Sequence, residues 1–409
     1  MPLRTTKRLL LWSAAGAFLC GSALAPPANA MPMFAQKYSL SCAYCHTMVP
    51  RLNTFGYEFR RAGFRLPGAP NNTSHAFKDV ASIVLSTRLA TASPSGDTGL
   101  NLKSDLKVAG AMDDHISGRV TYTFASKDDG GPTGFERAWV RYNSAPMGTF
   151  WDATLGQMPV TDGYNLEGNR NWMLTDTPLV MGANGPLAGS STFPRGNFDL
   201  AGLERGLEGG FDTTHFSARV SWLNGITESG IGSVGASSSG PRFHDVEAQF
   251  DYLPGNSGSA ISGVFYHGVT PLHDLAAPGN PRYDNDFFRA GLFGTYQRQL
   301  RAGTPGIPDL LFELNAGYIV GKDKVALGGP YIYSDGAIVE ADLYHQNRSS
   351  LGVRYDQARR SETAGAPITK AFTVDLATRP SDLVQIGLEY RTQASPGAHS
   401  LIAGLTLYY

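Results

Sequence analysis

One feature constrains this chain above all others: from about residue 80 to the C-terminus, apolar side chains recur at every second position. In "HISGRVTYTFA", Ile116, Val120, Tyr122 and Phe124 fall on one face, and Ser117, Arg119, Thr121 and Thr123 on the other. "HFSARVSWL" separates Phe216, Ala218, Val220 and Trp222 from Ser217, Arg219 and Ser221. "DVEAQFDYL", "FTVDLATR" and "LVQIGLEYR" divide in the same way. Side chains of a β-strand alternate between faces, so this period predicts strands, here of roughly 9–13 residues. About 16 such segments follow one another down the chain.

The connections alternate as regularly as the strands. Short ones include Asp113-Asp114, "DTT", "PGNS", "NRSS" and "RPSD"; long ones include "KDDGGPTG", the stretch 160–199 and "TESGIGSVGASSSGP". Outer-membrane barrels combine short periplasmic turns with long external loops. The fold class expected is therefore mainly β: a transmembrane antiparallel barrel of about 16 strands, with a small N-terminal α-helical unit, too short for much core of its own, docked in its mouth as a plug. Every second connection is short, beginning after the second strand, which places the N-terminal segment and the C-terminus on the periplasmic side. The ending "LIAGLTLYY", with alternating Leu401, Ala403, Leu405 and Leu407 and a terminal Tyr409, suits a closing strand. A soluble β-sandwich or β-helix would explain the alternation. It would not explain the loop asymmetry, or charges confined to one strand face.

That charged face carries both signs. Lys103, Lys107, Arg119, Arg141, Arg219, Arg289, Arg354 and Arg391 share it with Asp105, Glu247, Asp251, Glu313, Asp342, Asp356, Asp375 and Glu389. The expectation is a solvated or salt-bridged lumen without strong ion preference. Segment 160–199 is the longest external loop, able either to fold inward as a constriction or to cover the outer mouth.

The first 30 residues read as a cleaved secretory signal. Arg4, Lys7 and Arg8 precede the apolar run Leu9 to Ala25, and "ANA" at Ala28 to Ala30 supplies small residues for cleavage. As an uncleaved anchor the run is short and ends in Pro26-Pro27. Cys20 lacks the small residue before it that a lipoprotein site wants, and is discarded with the leader. The formal net charge is -1, and loss of the three leader cations leaves about -4. No basic surplus points to nucleic acid. After Ala30 there is no run of 18 apolar residues, which argues against a helical membrane protein.

Three segments follow: 1–30 signal peptide, 31–75 a compact N-terminal unit, and 76–409 the barrel. Within the unit, Pro50 suits a first helical turn, and Leu52, Phe55, Phe59 and Ala62 recur at helical spacing with Arg60 and Arg61 outside that stripe. Gly63 and Pro67 end the helix, and Leu66 to Ser74 form a linker. The unit also holds "CAYCH", Cys42 to His46. Cys-x-x-Cys-His is the attachment pattern for haem c. Cys42 and Cys45 would each form a thioether with a single porphyrin, and His46 would be the proximal iron ligand. A zinc knuckle would need further ligands, and the mature chain has no other cysteine. A thioredoxin-type pair would need a βαβ context, and a plain disulfide leaves His46 unexplained. The sixth iron ligand stays open, with Met33, His75 and Met112 within consideration and Met48 too near His46 in sequence to reach the opposite haem face. The remaining histidines have no metal spacing.

The stretch "FAQKYSLSCAYCHTMVPRLNTFGYEFRRAGF" resembles the fused monohaem cytochrome–porins of the outer membrane, best known as iron oxidases of Fe(II)-oxidising bacteria. The resemblance rests on Phe34-Ala35, on Cys42, Cys45 and His46, on Pro50, Leu52, Asn53, Phe55 and Gly56, and on Phe59 and Gly63-Phe64. It implies a haem unit on the periplasmic side of an outer-membrane barrel. It implies electron uptake from an extracellular donor, with Fe(II) first, and a periplasmic cytochrome or copper protein as acceptor, in contact with outer-membrane lipid. It assigns no catalytic residue, so oxidoreductase activity stays open. Loop carboxylates Asp97, Asp128, Asp129, Glu228, Asp274 and Asp335 are candidates for a donor site, though solvated loop charge explains them as well. The competing readings are a solute-conducting porin whose haem unit is a plug, gate or redox sensor, and a conduit exporting electrons to an external acceptor.

Overall fold

The computed structural model describes residues 33–66, 80–93, 98–127, 134–146, 148–164, 173, 178–180, 200, 202–225, 244–255, 258–273, 278–279, 281–303, 308–324, 328–361, 368–393 and 398–409. The leader, most of the linker including His75, and most of loop 160–199 lie outside the described residues.

In the N-terminal unit two helices, Met33–Tyr38 and Thr54–Arg61, flank the Cys-x-x-Cys-His turn and a two-stranded ribbon, β1 (His46–Met48) and β2 (Arg51–Leu52). The second helix starts later than its apolar spacing implies. Leu52 belongs to β2, and Pro50 sits in the turn between the two strands, after a cis peptide bond. Asn53 is the reason: its side chain accepts from the Gly56 N–H at 2.9 Å and caps the helix there. The expected helical start at Pro50 is thus corrected: the helix begins four residues later, at Thr54. At the other end Gly63, at φ +69°, turns the chain away.

Sixteen strands form the rest: β3 (Ala81–Ser93), β4 (Thr98–Ala111), β5 (Ile116–Lys127), β6 (Gly134–Asn143), β7 (Phe150–Pro159), β8 (Leu203–Asp212), β9 (Phe216–Leu223), β10 (Asp245–Tyr252), β11 (Ala260–His273), β12 (Arg282–Arg301), β13 (Leu310–Lys324), β14 (Tyr331–His345), β15 (Ser349–Ser361), β16 (Ile368–Ser381), β17 (Val384–Gln393) and β18 (Ala398–Tyr408). All neighbours pair antiparallel, and β18 pairs with β3 to close the barrel. The terminal Tyr409 completes that seam, exchanging backbone hydrogen bonds with Ile83 at 2.7 and 2.8 Å. Closure leaves no strand edge, which a sheet in lipid requires. The expected fold class is the one observed.

The two faces invert the rule for soluble proteins. Leu155 is 65% exposed and Val220 57%, whereas inward-facing Asp251 and Glu389 are 0% exposed. An outside of Leu, Val, Phe and Trp needs an apolar solvent, and the charged inside needs partners. The short turns, at 112–115, 213–215, 346–348 and 382–383 among others, lie at one end of the barrel, and the long connections at the other. From the long-loop end, Val160, Val180 and Leu200 pack against inward-facing Leu223, Val264, Tyr266, Phe287, Ile319 and Ile338. Of the two courses open to the longest loop, its described residues take the inward one. From the short-turn end the N-terminal unit enters as a plug: Arg65 donates to the carbonyls of Asp113 and Ile116 at 2.8 and 2.9 Å, and Asn347 donates to the His46 carbonyl at 2.6 Å.

Candidate functional site

The Cys42–His46 turn is shaped by the helix beneath it. Asn53, besides capping, donates through Nδ2 to the carbonyls of Ala43 and Tyr44 at 3.3 and 3.1 Å, and its N–H donates to the Cys45 carbonyl at 3.0 Å. Gly56 lets that turn approach: a Cβ there would lie 2.0 Å from the Cys45 carbonyl oxygen, which no side chain tolerates. Tyr44 packs edge-on against Phe55, with ring centroids 4.7 Å apart, and is half exposed at the short-turn mouth.

Both cysteines are free thiols, Cys42 buried and Cys45 partly so. Burial, with Cys42 beside it, pushes the Cys45 thiol up to about 12. The turn lies between two short helices and a two-stranded ribbon, not in the βαβ unit that a thioredoxin-type pair would need. Among the described residues no group of three or more His, Cys, Asp or Glu could hold a metal ion. His46 Nδ1 lies 3.1 Å from the Pro50 carbonyl oxygen. A carbonyl only accepts, so Nδ1 carries the proton, and in the neutral ring the lone pair is on Nε2. Metal-ligating histidines are oriented in this way by a backbone carbonyl. Two thiols three residues apart, followed by an imidazole with Nε2 as its donor atom, fit covalent haem attachment.

The helix behind the turn shows a division that the sequence half reveals. Phe55 and Phe59 face an aromatic core with Phe34, Phe64 and Trp139 of β6; Phe34 stacks on Phe64 at 4.8 Å and Phe64 on Trp139 at 6.0 Å. The opposite face carries Tyr57, Arg60 and Arg61. On a soluble domain it would meet water; here it meets the charged lumen wall. Arg61, 2% exposed, lies 3.1 Å from Asp152, 3.2 Å from Asp162, 3.5 Å from Asp212 and 3.6 Å from Glu208. Burial works against its charge, but Asp212, Asp152 and Glu208 outweigh it and hold the guanidinium more firmly protonated than usual. Arg60 pairs with Asp162 at 3.1 Å, and the Tyr57 hydroxyl donates to Asp251 at 2.7 Å. Gly63 fits tightly against the wall, its would-be Cβ 2.6 Å from Ser117 Oγ. Nearer the Cys turn, Arg51 pairs with Glu313, Met48 packs on Leu311, Tyr344 and Ala377, and Arg379 points Nη2 at Cys42 Sγ from 3.7 Å.

The other candidates scatter. Met33 is buried among the plug aromatics, Met48 against the wall, and Met112 is exposed in the turn between β4 and β5. Asp335, read from the sequence as a loop residue, belongs to strand β14, where Arg359 clamps it at 2.8 and 3.0 Å and Tyr318 donates to it. A carboxylate committed to three donors is not an open donor site, which corrects that expectation. Asp97, Asp128, Asp129, Glu228 and Asp274 lie outside the described residues. The sequence reading missed Asn347, Arg379, Asp152, Glu208 and Asp212 as plug partners. Only their inward strand parity marked the last three: the small size of the N-terminal unit predicts a plug docked in the mouth, but no local pattern says which wall residues it meets.

No protein-family model matches the chain, and no curated protein matches it. Solved structures do. An anion-selective porin from Comamonas acidovorans aligns at TM-score 0.56 and 14% identity, over 80% of this chain and 98% of that one. Salmonella typhi OmpF, in complex with daunomycin, aligns at TM-score 0.55 and 11% identity, over 80% and 97%. A loop-deletion mutant of OmpT from Vibrio cholerae aligns at 0.54 and 13%, over 80% and 98%. Identities this low establish shared fold. The class is therefore an outer-membrane β-barrel of the porin fold, closed by sixteen antiparallel strands, with a small helical unit lodged at its short-turn end.

Proposed function

We propose that this barrel is an outer-membrane electron conduit, carrying one covalent haem c on its N-terminal plug at the periplasmic mouth. The observation that carries the reading is the His46 Nδ1–Pro50 carbonyl contact of 3.1 Å beside two free thiols, which presents thioether sites and an iron ligand together. When bound, a c-type haem supplies a one-electron iron couple. Cys42 and Cys45 would hold it, His46 would ligate the iron through Nε2, and Asn53 and Gly56 fix the turn that presents all three. Tyr44, half exposed at the mouth, marks the edge open to a periplasmic cytochrome or copper protein. Fe(II) outside the cell is the first donor to test. Export of electrons to an external acceptor uses the same parts in reverse.

Purified protein should show a haem c spectrum that Cys42→Ala together with Cys45→Ala abolishes; survival of the spectrum defeats the attachment. Fe(II) added to the oxidised protein should reduce it.

A second reading, a solute-conducting porin with the haem unit as plug or gate, is favoured by the likeness to porins. Planar-bilayer conductance separates the two. Steady wild-type conductance, with no reduction by Fe(II), would support the porin. A closed wild-type barrel that is reduced by Fe(II) would support the conduit.

A further inference from the structure

Several arginines buried inside the barrel are paired with carboxylates. Arg61 lies 3.1 Å from Asp152, Arg219 2.9 Å from Asp212, Arg289 2.9 Å from Asp323 and Arg354 2.9 Å from Asp356. Arg379, near the short-turn end of β16, departs from this pattern. It is 2% exposed, and its buried Nε makes no hydrogen bond. Its Nη2 donates to the Asp382 carbonyl at 2.9 Å and points at Cys42 Sγ from 3.7 Å. Among the described residues no carboxylate is near enough to form an ion pair with it. The Asp382 carboxylate is taken by Arg348 at 2.8 Å, and Asp309, further along the rim, by Arg301 at 3.0 Å. Asp375 shares the inner face of β16 but stands four residues back along an extended strand, about 13 Å away.

The guanidinium is also held in place. The Arg379 N–H donates to the Arg348 carbonyl at 2.6 Å, and Cζ lies 5.9 Å from the ring centre of Tyr408 on β18. A cation kept from water and from a counter-charge is screened less than one at the surface, so its field reaches further. Cys42 would carry one thioether, so a charge against its sulfur borders the porphyrin. Haem potential responds to axial ligands, hydrogen bonding and burial, and reduction adds an electron to the iron, which a fixed positive charge beside it favours.

We propose that Arg379 raises the potential of the haem, so that the barrel wall, and not the plug alone, fits it to take electrons from a weakly reducing donor. This role rests on the haem reading above and gives it a direction, because a raised potential favours uptake and opposes export.

The test is a spectroelectrochemical titration of the haem-loaded mature protein in detergent, wild type against Arg379→Gln and Arg379→Lys. At a fixed electrode potential Arg379→Gln should shift the balance toward the oxidised state by about tenfold or more, which is about 59 mV or more in the midpoint of a one-electron couple. Arg379→Lys keeps the charge and should retain most of the wild-type value. Lys322→Gln, at the long-loop end of β13, should leave the midpoint unmoved. The absorption bands should be the same across the set, since the iron keeps its ligands. Should Arg379→Gln fail to assemble, Arg379→Met, uncharged and apolar, makes the same comparison. A wild-type midpoint in the uncharged variant, or the same fall in Arg379→Lys as in Arg379→Gln, would overturn this role and leave the haem in place. Absence of haem from the wild type would overturn the conduit reading, and this role with it.

Discussion

At one end of the plug, Tyr57, Arg60, Arg61 and Arg65 push charge and hydrogen bonds into the wall; at the other, Met48 meets Leu311, Tyr344 and Ala377, with the Arg51–Glu313 ion pair and single polar contacts from Asn347 and Arg379 beside it. The first end is over-determined. Three guanidinium groups, Arg61, Arg141 and Arg219, interlock with Asp152, Glu208 and Asp212, so no member can move alone. The second end, which carries the Cys42–His46 turn, rests on the Arg51–Glu313 ion pair and on shape. A plug that must present a reactive turn at an open mouth can anchor itself mainly by its far side and hold the near side by fewer ion pairs.

That contrast can be broken in order of expected effect. Opening of the plug is read from the labelling rate of Cys42, which is buried when docked, in haem-free mature protein carrying Cys45→Ser. Arg61→Met should be the most damaging, since it leaves buried carboxylates without their central cation, at a cost of about 3–5 kcal/mol. Cys42 labelling should accelerate sharply while the barrel's far-UV circular dichroism is kept; unchanged labelling would mean that the ion network is not the anchor. Met48→Ala tests the other end, where the lost packing should cost about 2–3 kcal/mol because the neighbouring mouth lets the site partly relax. An effect exceeding that of Arg61→Met would reverse the comparison.

Smaller effects test the turn itself. Gly56→Ala forces the helix off the Cys45 carbonyl and should cost about 1–3 kcal/mol, seen also as a lower yield of covalent haem per barrel in cells with attachment machinery. Asn53→Ala removes the cap and should cost about 1 kcal/mol, whereas Asn53→Asp should keep the cap but lose the Nδ2 bonds to Ala43 and Tyr44. Equal behaviour of the two Asn53 variants would show that those bonds do not shape the turn.

Much of the barrel was legible in advance because a strand in lipid must alternate, and a closed barrel must count its strands evenly. Parity alone placed Arg141, Arg219, Asp251 and Glu313 on the inside. The plug was legible only in part. The apolar stripe of Phe55, Phe59 and Ala62 correctly marked one helix face, but the rule that the opposite face meets water failed at Arg60 and Arg61, because the wall they meet is itself charged. Pro50 misled for a different reason: the same residue suits a helix start and a tight turn, and Asn53 decided between them.

By itself, then, the sequence determined the period, the strand parity, the loop asymmetry and the Cys-x-x-Cys-His spacing, since each is a property of residues close together along the chain. Only the tertiary structure decided which wall residues hold the plug, that Val160, Val180 and Leu200 turn inward, and that Arg379 of β16 comes to lie against Cys42. Those pairings join residues up to 337 positions apart, as Cys42 and Arg379 are. Barrel closure brings such residues together, and no local pattern encodes which of many inward charges will meet.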